Sequence, residues 1–118
     1  MARRYKSYSA ETGVTYRYFF VCSRRVIRPE GQGEGSDHIF VALPDQAPPF
    51  IARVFVSERG AAARRARRGR ALEPNEMYAA AKLCLLRAFD EHERLRDQCS
   101  NLIVDETNIE GLLEPLDL

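Results

Sequence analysis

The stretch Val14-Thr15-Tyr16-Arg17-Tyr18-Phe19-Phe20-Val21-Cys22 follows Gly13 and is dense in aromatic and β-branched residues. Such residues fit a pleated surface, and a period of two assigns them to faces. Val14, Tyr16, Tyr18, Phe20 and Cys22 share one face, and Thr15, Arg17, Phe19 and Val21 share the other. The first face is apolar or aromatic throughout and calls for helices packed on it. The second mixes an Arg with a Phe and is too apolar for plain solvent surface.

Working outward, Pro29-Glu30-Gly31-Gln32-Gly33-Glu34-Gly35-Ser36 holds three glycines and a proline, which predicts a flexible loop. His38 to Leu43 predicts a second strand. Pro44 to Pro49 contains three prolines and predicts a turn. Phe50 to Ser57 predicts a third strand, with Ala52, Val54 and Val56 opposite Ile51, Arg53, Phe55 and Ser57. Connections this short favour antiparallel order. Nine of the eleven aromatic residues fall within residues 1–57, which places the sheet in the first half.

The character changes at Glu58. Ala61, Ala62, Ala63 and Ala66 stand among Arg59, Arg64, Arg65, Arg67, Arg68 and Arg70, a helix-forming composition that Gly69 should stop. Pro74 suits the first turn of a second helix, with Glu73 and Glu76 near its positive end. Met77, Ala81, Cys84, Leu85, Ala88, Phe89, His92 and Leu95 keep three-and-four spacing, so this helix should run from Pro74 to about Gln98, with Leu85 and Phe89 as core anchors. In the tail, Asn101 to Asp105 reads as a short strand. Ile109, Leu112, Leu113 and Leu116 share one face of a short helix with Asn108 at its cap and Pro115 at its end.

These readings predict an α+β chain in β-β-β-α-α order: a three-stranded antiparallel sheet, an Arg-rich helix and a long amphipathic helix. One domain would cover residues 1–100. An acidic-apolar tail, 101–118, would pack on the domain or on a partner. The length of 118 residues suits one domain, and 45% hydrophobic with 30% charged residues is an ordinary globular mixture. No apolar run approaches the ~20 residues of a membrane span. The basic start leads into Ser7-Tyr8-Ser9-Ala10-Glu11 rather than an apolar stretch, which argues against a secretory signal. Cys22, Cys84 and Cys99 are odd in number and widely spaced, as in free thiols of the cytoplasm rather than a disulfide framework.

No pattern points to catalysis, a cofactor or a metal. His38 and His92 are isolated, and no Cys or His pair has ligand spacing. Gly31, Gly33 and Gly35 are not followed by the Lys-Ser or Lys-Thr of a phosphate loop. Cys22 and His38 would meet only across a hairpin, with no third group to orient them.

Charge is the feature above background. Residues 1–72 carry 14 Lys and Arg against 6 acidic residues, a net of +8; residues 73–118 carry 4 against 11, a net of −7, giving the overall +1. All but Lys6 and Lys82 of the 18 basic residues are Arg, which binds phosphate and carboxylate in a fork. Two surfaces are therefore candidates. Phe19, Val21, Ile51 and Phe55 on the mixed sheet face would form an interface with a protein partner or a second copy of the chain. Arg24, Arg25, Arg59, Arg64, Arg65, Arg67, Arg68 and Arg70 would contact the phosphates of a nucleic acid, unless the acidic second half neutralises them. A small non-catalytic interaction module is the first expectation, a nucleic-acid binder the second and a small enzyme the third.

Overall fold

In the computed structural model the described residues are 4–28, 31, 33–70, 72–92, 95–98 and 102–116. The chain is α+β, but the predicted three-stranded sheet followed by two helices is not what forms. Five strands make one sheet in sequence order: β1 (Lys6–Ser9), β2 (Thr15–Arg28), β3 (Gly33–Pro44), β4 (Phe50–Ser57) and β5 (Leu102–Val104). The first four form an antiparallel meander. β5 returns parallel to β4, setting Val54, Phe55 and Val56 beside Leu102, Ile103 and Val104. Between β4 and β5 run α1 (Glu58–Arg68) and α2 (Pro74–Glu91), and a short α3 (Ile109–Leu113) follows β5.

Each departure has a physical cause. β1 is Lys-Ser-Tyr-Ser, mostly exposed and polar, and is a strand only because it pairs with Thr15–Tyr18. β5 is three residues long and needs β4 beside it. The expected loop at 29–36 is strand from Gly33 onward, because the β2–β3 ladder continues until Arg28 lies opposite Gly33. The glycine at 35 serves close approach rather than flexibility. A Cβ there would lie 2.6 Å from the Phe55 ring and 2.4 Å from the Val56 carbonyl oxygen.

A bulge changes the faces of β2. Phe20 pairs with Phe40 and Cys22 with Ile39, so Val21 is the extra residue. Up to Phe20 the expected alternation holds, with Tyr16 and Tyr18 buried. Past the bulge it reverses, and Cys22 is exposed rather than part of the buried face.

The helices pack on the face that carries Tyr16, Tyr18, Phe40, Ala42, Ala52, Val54 and Val56. Phe89 of α2 is fully buried and stacks on Tyr16, with ring centroids 3.9 Å apart and planes 6° apart. Tyr8 and Tyr18 flank it at 6.1 Å. The Tyr8 hydroxyl donates to the Asp90 carboxylate at 2.6 Å and ties β1 to α2; that bond, with some burial, pushes the Tyr8 pKa up to about 12. Ile109, Leu112 and Leu113 of α3 complete the core.

α1 begins where the Ser57 hydroxyl accepts the Gly60 N–H at 2.9 Å, and ends at Gly69 in the left-handed conformation (φ 75°). α2 stops at Glu91, seven residues short of the predicted Gln98. His92 leaves the helix in extended conformation, and Leu95 reaches the core from a separate 3-10 turn over Leu95–Gln98. No Gly or Pro marks that break. Asn108 precedes α3 but does not cap it through its side chain. Its amide bridges Ile103 and Asp105 instead, donating to one carbonyl and accepting the other residue's N–H. Cys99 and Asn101 lie outside the described residues, as does the side chain of Leu116. No helix of the described residues is long and apolar enough to cross a membrane.

Candidate interaction surface

The sheet face away from the helices is the candidate surface. The register sets Phe19, Val41 and Ile51 side by side across β2, β3 and β4, with Arg17 beside Leu43 in the next row. Ile51 is 53% exposed and Val21 36%, while Phe19 is half-buried. Tyr5, itself 50% exposed, packs edge-on against Phe19 at 5.1 Å, and the Arg17 guanidinium lies 5.4 Å from the Tyr5 ring. Arg53 is exposed on the same face. The patch is thus an apolar row with a basic rim.

Phe55, the fourth residue expected on this surface, does not belong to it. Its side chain is fully buried. It fills the space over Gly35, and the Arg28 guanidinium covers its ring at 4.6 Å while pairing with Asp37 at 3.0 Å. The Arg that closes this plug comes from the far end of β2, six residues beyond the predicted strand end at Cys22.

Six of the eight candidate phosphate contacts are engaged within the chain. Arg25 pairs with Glu58 and, at 3.5 Å, with Glu34. Arg59 donates to the Gly31 carbonyl. Arg64 is only 2% exposed and donates to Glu110 of α3 at 2.5 Å, while Arg67 and Arg68 approach the same carboxylate at 4.0 and 3.9 Å. Arg70 holds Glu76 with two bonds of 2.8 and 2.9 Å. Arg24 and Arg65 are exposed, with no ion pair among the described residues. Sequence reasoning missed Glu110 as the carboxylate on which α1 converges. Its one signal was an acidic residue next to Ile109 on the tail helix.

Glu76 is the clearest titrating group. The Arg70 guanidinium and the Glu73 N–H hold its carboxyl at about 2, well below the usual 4.5. A depressed carboxyl stabilises the fold above its unfolded value and loses that contribution as pH falls. The stability advantage of wild type over Glu76→Gln is therefore expected to be constant above pH 4.5 and to disappear as pH falls toward 2. Urea midpoints along that pH series measure it; a constant difference would mean that Arg70 does not hold Glu76 in solution.

The residues considered for catalysis are kept apart. Cys22 is exposed opposite Ile39, whereas His38 is buried near Phe20 on the helix side, its imidazole disfavoured as a cation by burial. Cys84 is held between α2 and β5, where burial pushes its thiol up to about 11 and away from nucleophilic use. Among the described residues no group of three His, Cys, Asp or Glu side chains is placed to hold a metal ion.

Comparison of the chain with protein-family models, with curated proteins and with solved structures finds no match. The reading of function therefore rests on the surfaces themselves.

Proposed function

We propose that the chain is a non-catalytic protein-binding module that associates with a second copy of itself through the helix-free face of the sheet. The carrying observation is the in-register row Phe19–Val41–Ile51, with Ile51 and Val21 presented to solvent on a face that α2 does not cover. A cyclic two-fold pairing is the commonest way for one such patch to bury itself, since the same surface serves both partners. Arg17 and Arg53 would then lie at the rim, where charges stay hydrated.

Burying an Ile side chain fully contributes about 1.5–3 kcal/mol. Ile51→Lys and Val21→Lys are each expected to weaken the dimer more than about tenfold. Both positions are exposed in the monomer, so melting of the dilute protein should change little. Sedimentation equilibrium from micromolar to millimolar concentration measures the association. A wild-type monomer across that range would remove this reading.

A further inference from the structure

We infer that the outer edge of β2, from Arg24 to Arg28, is a docking site for an extended acidic peptide that adds to the sheet as a sixth strand. The inference is independent of the outer-face dimer, because it uses a different surface.

β2 is 14 residues long, yet β1 pairs only with its first four, Thr15 to Tyr18. Along Arg24 to Arg28 no strand of the described residues pairs with this edge, while the opposite edge stays in the ladder with β3 as far as Arg28. Residues 21–25 are exposed in succession, and Ile27 is 74% exposed. A strand edge of this kind presents alternate backbone N–H and C=O groups that another polypeptide can complete.

The side chains select the occupant. Arg24 and Arg25 precede Val26 and Ile27 along the edge, and Arg24 has no ion pair among the described residues, whereas Arg28 is already held by Asp37 and the Phe55 ring. The Arg25 pairs with Glu34 and Glu58 are solvent-exposed, and exposed pairs exchange at little cost. Beside them lies a depression of about 380 Å³ lined by Arg25, Val26, Ile27 and Glu34, where an apolar side chain of the added strand would sit. A second copy is disfavoured, because antiparallel self-pairing about Val26 would set Arg24 against Arg28 at both ends of the added strand. A nucleic acid would find the charges but leave the backbone edge unused.

The probe is a fluorescein-labelled peptide alternating Asp or Glu with Val or Thr, titrated with the full chain and followed by anisotropy. It is expected to bind, with affinity falling as salt rises. Replacing its acids by Lys should abolish binding. Arg24→Glu, and independently Ile27→Asp, should weaken it at least tenfold with unchanged melting. Strand addition has a signature that charge attraction lacks. Methylating alternate backbone nitrogens of the peptide should abolish binding in one register and leave it intact in the other. Failure of the acidic peptide to bind would overturn the inference. So would equal binding of both methylated registers, indifference to Arg24→Glu, or tighter, Arg24-dependent binding of a single-stranded oligonucleotide of equal charge.

Discussion

Phe89→Ala is expected to destabilise the fold by about 3–5 kcal/mol, the range for removing a fully buried aromatic ring from a core. Phe89 is the point where α2 meets the sheet. Its ring lies flat on Tyr16 and touches the space of Tyr8 and Tyr18 as well, so three strand residues lose their packing partner together. These neighbours belong to β1 and β2. Relaxation cannot easily close the hole, because stacked rings are rigid plates. Leu85→Ala, also in a fully buried position, should cost about 2–5 kcal/mol. Urea unfolding followed by far-UV circular dichroism measures both. A Phe89→Ala midpoint near wild type would mean that α2 packs through another face.

Glu110→Ala is expected to cost about 3 kcal/mol, because it removes the half-buried carboxylate that partners the buried Arg64. Arg64 is only 2% exposed, so its guanidinium cannot turn to water for a replacement partner. Removing Glu110 leaves that guanidinium uncompensated, with Arg67 and Arg68 close by. The pair is already imperfect: the second Arg64 amine and the second Glu110 oxygen are both buried with no hydrogen-bond partner among the described residues. The double variant Arg64→Met with Glu110→Leu should therefore recover most of the loss, since apolar replacement of a buried pair is often neutral or better. A single-variant loss under about 1 kcal/mol would place the pair among hydrated surface bridges.

Some of this architecture is written in local patterns. Ala52, Val54 and Val56 are buried as their alternation says, and Ser57, Gly69 and Pro74 mark helix limits through chemistry that acts within one turn. Leu85, Ala88 and Phe89 lie on the buried stripe that their spacing defines. The charge polarity of the two halves is likewise plain in the sequence, and the α1–α3 contact uses it. The shared face of Phe19 and Ile51 was legible, because two-residue alternation holds wherever the ladder is regular; Val21 lies at the bulge, where it does not.

Phe55 shows where such reasoning stops. Alternation puts it on the outer face, which is correct, but its burial depends on Gly35 leaving room and on Arg28 folding over it from another strand.

By itself, then, the sequence determined the α+β class, the central strand segments, α1, the start and buried stripe of α2, and the opposition of basic and acidic halves, since each depends on neighbours within a few positions. Only the tertiary structure decided the rest. β1 and β5 are strands because β2 and β4 offer them an edge, and the bulge at Val21 turns Cys22 outward because β3 sets the register. α2 ends at Glu91 so that Leu95 reaches the core and Leu102 lands beside Val54. Pairing, register and the covering of one side chain by a distant one are non-local free energies, and no window of sequence contains them.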